Sequence, residues 1–189
     1  MEQQKDKKDI NRRHKVFIYK TKSDRHSFLA SYFKEGLSEG NLCIFVSPEP
    51  QEKVVEVFNG YGLDISNALE SGAFRLYDMN ETYLPHGEFV TALMIRNVER
   101  FIRDAEKAGY SGLYTAGEMT WVYQESHFWH ELEEYETEVN ALQRRHRSFT
   151  ALCLYPTRKS TFVEDIVMKT HPFEVTTKGT KLNERYVEA

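Results

Sequence analysis

Residues 117 to 121, Gly-Glu-Met-Thr-Trp, place a carboxylate, a thioether and an indole within five positions. They directly follow an apolar run that predicts a β-strand. Small-ligand pockets commonly combine apolar walls with one polar anchor, and Met119, Trp121 and Glu118 are residues of those types. The same composition fits a core cap made by Met119 and Trp121, with Glu118 capping the next helix. The sequence therefore predicts either a ligand-binding segment or a core cap here.

A second segment suited to chemistry is the turn from Tyr19 to His26, where a nucleotide-binding protein of this layout carries its phosphate loop. The turn contains no glycine, and the motif G-x-x-x-x-G-K-[ST] is absent from the sequence. Backbone amides need glycines with positive φ to wrap phosphates closely, and Asp24 would repel a triphosphate. The turn argues against ATP hydrolysis. Its cations, Lys20, Lys22 and Arg25, fit either a smaller anion or a solvated basic turn.

The histidines give no recognisable catalytic or metal-binding pattern. One predicted helix carries His127, His130 and two glutamates on a shared face, but no second ligand pair has matching spacing. An exposed, charge-paired helix face is the better interpretation. His86 and His171 are isolated in predicted turns, and G-x-S-x-G, H-E-x-x-H and C-x-x-C are absent. We therefore expect no enzymatic activity, no metal site and no cofactor.

The composition is that of a folded domain. The 189 residues are 40% hydrophobic and 29% charged, and 25 basic against 29 acidic residues give a net charge of -4. No global field draws such a chain to nucleic acid or anionic lipid, and no apolar stretch approaches the roughly 20 residues of a membrane span. Cys43 and Cys153 lie in apolar runs, which favours buried free thiols. We expect a cytoplasmic protein.

Five apolar runs alternate with amphipathic helices. Such runs are typical of strands buried on both faces, so the pattern predicts a three-layer α/β/α fold with a mainly parallel sheet of five or more strands. The predicted strands are residues 15–19, 42–47, 73–78, 113–117 and 149–155. One long helix is expected to open at Pro85, another at Ser47 and Pro48, and the last at a capping box of Thr161 and Glu164.

The pattern divides the chain into one domain and two short ends. Residues 1–13 are polar and without periodicity, which predicts a flexible arm, with a basic contact for a partner as the alternative. Residues 14–175 carry the strands and helices, and residues 176–189 are expected to form a C-terminal tail. An apolar seam at four-then-three spacing follows the helix from Phe128 to Leu142. Burial in the domain's own core is the favoured interpretation, and a homodimer interface is the alternative.

Several motifs together resemble one known family. They are His14 with Val16-Phe17-Ile18-Tyr19, Phe33-Lys34-Glu35-Gly36-Leu37-Ser38-Glu39-Gly40, Gly117-Glu118-Met119-Thr120-Trp121 and Cys153-Leu154-Tyr155-Pro156. With them, the stretch from His14 to Val175 resembles a MEDS domain, the DcmR-like sensory domain of methanogens and methylotrophs. The layout is also similar to a KaiC or RecA-type ATPase core that has lost its P-loop. The sequence departs from the family pattern at Val16, where many relatives carry a cysteine, and this weakens a metal or thiol role for His14.

The resemblance implies a non-catalytic receptor for simple hydrocarbon derivatives. A RecA-like strand order would place the first strand between the fourth and the fifth, and the second strand at the far edge. The carboxyl ends of strands one, four and five would then converge on one cleft. The expected ligand-binding residues of that cleft are Tyr19, Lys20, Glu118, Trp121 and Tyr155. In this interpretation Trp121 and Tyr155 form apolar walls and Glu118 is the polar anchor, while His14 is structural or belongs to a second site.

The resemblance also implies signalling to a histidine kinase or a transcription regulator. No helix-turn-helix pattern fits residues 1–13 or the tail, so the signal is expected to act in trans, without direct nucleic-acid or membrane binding. Two other functions remain as alternatives. A nucleotide-binding module would hold ATP or a cyclic nucleotide through Lys20, Lys22 and Arg25. A pure interaction protein would keep the cleft as a remnant and use its helices as a partner surface.

Overall fold

The apolar runs become strands of one seven-stranded sheet in a computed structural model, which describes residues 14–157, 159–176 and 179–188. The strands are β1 (Lys15–Tyr19), β2 (Leu42–Ser47), β3 (Phe74–Asp78), β4 (Leu113–Glu118), β5 (Phe149–Pro156), β6 (Phe173–Thr176) and β7 (Gly179–Leu182). The five predicted strands are confirmed to within a residue at each end. The predicted arm, residues 1–13, lies outside the described residues.

Seven described helices pack on the sheet. They are α1 (Lys22–Ser38), α2 (Gln51–Gly60), α3 (Ser66–Ser71), α4 (Met79–Tyr83), α5 (Thr91–Lys107), α6 (Phe128–Arg145) and α7 (Thr161–Thr170). Among them, no helix has the combination of length and apolar character that crossing a bilayer requires.

Three predicted helix starts are wrong. Pro85 opens a short 3-10 turn, and α5 begins only at Thr91. Ser47 caps no helix, because α2 begins at Gln51. The cap of α7 is Ser160, the residue before the predicted capping box. Proline fits the first turn of a helix and a loop equally well, and neighbouring hydroxyl residues can each act as a cap, so these boundaries shift.

The strand order is β3-β2-β4-β5-β1-β6-β7, and every pairing is parallel except that of β6 with β7. The predicted order is wrong, since β1 lies between β5 and β6, and β2 lies between β3 and β4. That order rested on resemblance, because an apolar strand pattern does not specify its neighbours. β7 also carries strand pairing beyond residue 175, into the expected tail.

The two faces of the sheet carry separate cores. Residues of α1 and α2, such as Phe33 and Phe58, pack on one face, and residues of α5, α6 and α7 pack on the other. The predicted burial of the α6 seam is confirmed for Phe128, Leu132, Tyr135, Val139 and Leu142. Cys43 and Cys153 are buried free thiols, as the sequence predicts, and they belong to different cores.

Candidate functional site

Glu118 ends β4 with its carboxylate fully buried. The hydroxyl of Tyr19, at the end of β1, donates to Glu118 Oε1 at 2.8 Å, and Arg25 Nη1 donates to Oε2 at 2.7 Å. Burial raises the pKa of Glu118, while Arg25 and Tyr19 oppose that rise by stabilising the carboxylate. Each oxygen of Glu118 therefore has a donor supplied by the chain itself.

The first turn of α1 positions Arg25. Thr21 caps the helix and forms a capping box with Asp24, which fixes the direction in which α1 leaves β1. Arg25 Nη2 lies 2.7 and 2.8 Å from the two oxygens of Glu49, on the loop after β2. Burial opposes the charge on Arg25, but Glu118 and Glu49 outweigh it and raise its pKa. Its buried Nε has no hydrogen-bond partner within the described part of the chain.

These four residues, Tyr19, Arg25, Glu49 and Glu118, form what we call the strand-end cluster. It reaches solvent through Glu49, whose side chain is 21% exposed, against 4% for Arg25 and 0% for Glu118. His26 lies 3.8 Å from Glu49, and burial together with the charge of Arg25 lowers its pKa. The cluster is a buried ion pair of Arg25 and Glu118, with the carboxylate of Glu49 on its solvent side.

Of the five predicted ligand-binding residues, the structure brings only Tyr19 and Glu118 together. Lys20 and Lys22 are exposed at the protein surface, outside the buried cluster. The sequence considered Arg25 only as one cation of a basic turn, whereas it is the buried cation between two carboxylates. The predicted anchor, Glu118, is therefore bound by Arg25, a residue that the sequence did not distinguish from Lys20 and Lys22.

Trp121 and Tyr155 do not form walls of this cluster. Trp121 is fully buried in the core, with its ring 4.2 Å from that of Phe89, because the 3-10 turn after β4 folds it under the sheet. Tyr155 points to the opposite face, where its hydroxyl donates to Glu136 on α6. The core-cap interpretation of the segment is the one that describes Trp121, and Gly117 fits it too: a Cβ there would lie 2.0 Å from the hydroxyl oxygen of a core tyrosine, Tyr83.

A second buried polar cluster lies on the face of the sheet that α6 and α7 cover. We call it the His-Cys-Glu cluster; it consists of His14, Glu136, Cys153 and His171, each at most 4% exposed. Glu136 Oε2 lies 3.1 Å from His14 Nε2, 3.5 Å from Cys153 Sγ and 3.6 Å from His171 Nε2. One nitrogen, oxygen or sulfur atom from each residue lies within 4.8 Å of all the others.

Four separate elements position this cluster. His14 directly precedes β1, Cys153 lies on β5, Glu136 on α6, and His171 directly follows α7. Burial lowers the pKa of His171 to about 3. Burial also disfavours the charge on Glu136, but His171, His14 and the hydroxyl of Tyr155 outweigh it and hold its pKa below the usual value. The cluster combines two imidazoles, a thiol and a carboxylate in a buried site.

The sequence patterns do not predict the His-Cys-Glu cluster. His171 is isolated in the sequence, but α7 delivers it beside Glu136 in the fold. A thiol role beside His14 was discounted because position 16 is Val16, yet Val16 pairs in register with Cys153, and β5 supplies the thiol instead. One signal was present in the sequence: Glu136 lies on the apolar face of α6, where an unpartnered carboxylate would be costly.

A groove of about 640 Å³ lies beside the same cluster, between α6 and the β6–β7 hairpin. Its lining includes Asn140 and Gln143 of α6 and Leu182 of β7. Asn140 Oδ1 is 3.1 Å from His14 Nδ1, and Gln143 accepts a hydrogen bond from the His14 backbone amide. This opening therefore adjoins the His-Cys-Glu cluster and not the strand-end cluster.

Residues 13–172 match the sequence profile of a family described as the MEthanogen/methylotroph, DcmR Sensory domain, abbreviated MEDS. The chain belongs to the MEDS family. The predicted resemblance is confirmed, and the family description gives this MEDS domain a role in sensing signals. A search of curated proteins finds no match to the sequence.

Two solved structures from Pyrococcus horikoshii are similar to this MEDS domain. The uncharacterised protein PH0321, crystallised in complex with an unknown peptide, has a TM-score of 0.67 at 14% identity, covering 93% of this chain and 84% of its own. The KaiC-like protein PH0186 has a TM-score of 0.60 at 12% identity, covering 94% of this chain and 82% of its own. These similarities confirm the predicted three-layer, RecA/KaiC-like fold.

Proposed function

We propose that this MEDS domain is a non-catalytic sensor that binds a small organic molecule at the strand-end cluster. The family's sensory role supports the general function, and the position of the cluster supports the site. In doubly wound α/β folds, ligands bind beyond the carboxyl ends of the parallel strands. Tyr19 and Glu118 end two such strands, and Glu49 follows a third.

Arg25 Nε is the observation that carries this proposal. It is a buried donor without a partner among the described residues, next to an Nη2 that a partly exposed carboxylate occupies. A guanidinium binds a carboxylate most strongly through two parallel N–H bonds. A small organic acid that displaced Glu49 would gain Nη2 and Nε together. The ligand class is therefore a small organic molecule that presents a carboxylate or a comparable oxygen acceptor.

The arrangement supports binding without catalysis. Burial, followed by the charge of Glu118, raises the pKa of Tyr19, so its hydroxyl stays protonated as a hydrogen-bond donor. Glu118 already accepts bonds from Tyr19 and Arg25, which leaves it engaged rather than poised to accept a substrate proton. In this proposal the ionisable groups of the cluster hold the ligand and transfer no proton.

Displacement of Glu49 would carry the signal outward. Glu49 lies on the short loop between β2 and α2, so its release from Arg25 changes the surface at the start of α2. We propose that this surface is read in trans by a separate signalling protein, a histidine kinase or a transcription regulator, in the cytoplasm. The buried free thiols of Cys43 and Cys153 agree with a reducing compartment.

The test is a thermal-shift screen followed by calorimetric titration. The panel contains formate, acetate and glycolate, with methanol, methylamine and ATP as ligands of other chemistry. Glu49→Ala removes the competing carboxylate, so we expect acetate or its relatives to bind about tenfold more tightly, which corresponds to roughly 1.4 kcal/mol. Glu56→Ala is the matched control, because Glu56 pairs with the exposed Lys53 on the surface of α2.

The outcomes separate the proposed functions. Tighter carboxylate binding in Glu49→Ala, with Glu56→Ala unchanged, supports the strand-end site. Carboxylate binding that Glu49→Ala does not alter would show that the ligand does not bind at the strand-end cluster. Stabilisation by ATP alone would replace the proposal with a nucleotide-binding module. No response to any compound, in either variant, would replace it with an interaction domain.

A further inference from the structure

The His-Cys-Glu cluster contains more hydrogen-bond acceptors than hydrogen-bond donors. His14 Nδ1 lies 3.1 Å from Asn140 Oδ1, an oxygen whose assignment is supported by the bond from Asn140 Nδ2 to the Thr170 carbonyl. His171 Nδ1 lies 2.8 Å from the Val167 carbonyl. A nitrogen that faces a carbonyl oxygen must carry a proton, so both Nδ1 atoms are donors in this arrangement.

The opposite ring nitrogens therefore present lone pairs in the neutral imidazoles. His14 Nε2 and His171 Nε2 both face the same oxygen, Oε2 of Glu136, at 3.1 and 3.6 Å. His171 Nε2 is fully buried and has no hydrogen-bond partner among residues 14–157, 159–176 and 179–188. Lone pairs that converge in a fully buried site repel one another unless a proton or a metal cation lies between them. The Cys153 thiol lies 3.3 Å from His14 Nε2 and donates to Glu136 Oε2 at 3.5 Å, and its sulfur becomes a fourth electron-pair donor once that proton is lost.

The spacing of the four atoms fits one particular kind of cation. Tetrahedral zinc binds nitrogen and oxygen at about 2.0–2.1 Å and sulfur at about 2.3 Å, which separates neighbouring ligand atoms by about 3.3–3.7 Å. Four contacts in the cluster span 3.1 to 3.6 Å, and all pairs lie within 4.8 Å. A modest inward movement of side chains would close the set around one ion.

We propose that His14, Glu136, Cys153 and His171 bind one divalent transition-metal ion of the zinc class. Two imidazole nitrogens and a thiolate exclude the oxygen-preferring cations Mg²⁺ and Ca²⁺. Four buried protein ligands make the site a closed, structural one. It ties the residue before β1 to β5, α6 and the end of α7. This inference does not depend on the ligand proposed for the strand-end cluster.

Neighbouring groups support the four ligands. Asn140 and the Val167 carbonyl orient the two imidazoles, and the Tyr155 hydroxyl bonds Oε1 of Glu136, which leaves Oε2 facing the site. The groove opens at Asn140 and Gln143, the two residues of α6 that hydrogen-bond His14. On binding, the Cys153 thiol loses its proton to solvent and the sulfur forms the bond to the metal, so charge and atoms balance.

Metal content and cobalt spectroscopy test the proposal. The full chain, purified without chelators or an affinity metal, is analysed by inductively coupled plasma mass spectrometry and then titrated with Co²⁺ after chelator treatment. We expect one zinc-class ion per chain and, with Co²⁺, intense tetrahedral d–d bands plus a thiolate-to-cobalt charge-transfer band. Cys153→Ser should abolish the charge-transfer band. Cys43→Ser is the matched control, because it removes the other buried thiol from the opposite core.

A milder variant guards against misfolding of Cys153→Ser. Asn140→Ala removes an orienting group and not a ligand, and such changes cost about 10–100-fold in metal affinity. Metal affinity that falls in Asn140→Ala, with the cobalt bands retained at saturation, supports the site. A chain that carries no metal and gives no tetrahedral cobalt spectrum overturns the proposal. A charge-transfer band that Cys43→Ser abolishes and Cys153→Ser retains overturns it as well.

Discussion

Two carboxylates are fully buried on opposite faces of the sheet, and each is held by a tyrosine. Glu118 accepts from Tyr19 on the face that α1 covers, and Glu136 accepts from Tyr155 on the face that α6 and α7 cover. Their counter-charges differ. Glu118 faces a guanidinium that is always charged, whereas Glu136 faces two imidazoles and a thiol. The chain neutralises the first carboxylate itself and leaves the second dependent on a proton or a metal.

That difference separates two uses of buried charge. A permanent ion pair holds a fixed geometry and is disturbed by a competing ion of either sign, which suits a site that exchanges Glu49 for a ligand. A set of lone pairs is completed by a cation, which suits a site that is filled once and then stabilises the fold.

Arg25→Ala gives the largest effect expected from this contrast. It leaves the buried Glu118 without its cation, and removing one partner of a buried pair costs about 3–5 kcal/mol. We expect the free energy of unfolding, measured with urea, to fall by that amount. Arg75→Ala is the control, because its pair with Asp104 is partly exposed, and such pairs contribute about 1 kcal/mol or less. Equal losses in the two variants would show that Glu118 does not depend on a permanent counter-charge.

The two tyrosine hydroxyls provide an intermediate effect and a matched pair. Tyr19→Phe and Tyr155→Phe each remove one donor from a buried carboxylate, which we expect to lower the free energy of unfolding by about 1–3 kcal/mol. Tyr61→Phe is the control, because its partner Ser23 is exposed, and we expect a change within about 0.5 kcal/mol. A loss of stability in only one of the two variants would show that the two carboxylates do not depend equally on their tyrosine donors.

The contribution of His26 to the pH dependence of stability is the smallest expected effect. Burial and the charge of Arg25 lower its pKa in the folded state, so the unfolded chain binds more protons below the usual histidine pKa. Stability should therefore fall as the pH decreases from 7 towards 5, and His26→Gln should reduce that slope. The exposed His127→Gln is the control, and denaturant midpoints at several pH values give the measurement. Parallel profiles for wild type and His26→Gln would contradict the expectation.

The strands can be predicted from the sequence because a strand that is buried on both faces consists of consecutive apolar residues. All six residues of β2 are buried, and its predicted bounds are correct. β7 could not be found in the same way, since its residues are mostly exposed and its place depends on pairing with β6. The strand order was equally hidden, because neighbouring strands are chosen by contacts far apart in the chain.

The two buried clusters show the same limit. Glu118 was found because it stands in a short motif after a strand. Arg25 was named only as one cation of a turn that would bind a small anion or be solvated, because only the three-dimensional path of α1 turns it towards Glu118. His14 and His171 come from opposite ends of the described chain, and no local spacing links them to Glu136.

A single strand joins the two clusters mechanically. His14 directly precedes β1 and Tyr19 ends it, so five residue steps, about 17 Å of extended chain, separate one site from the other. β5 pairs with all five residues of β1, and β6 pairs with Lys15 and Val16, so sliding β1 along its axis would break this ladder. The strand is therefore a spacer that holds the two clusters at a fixed separation.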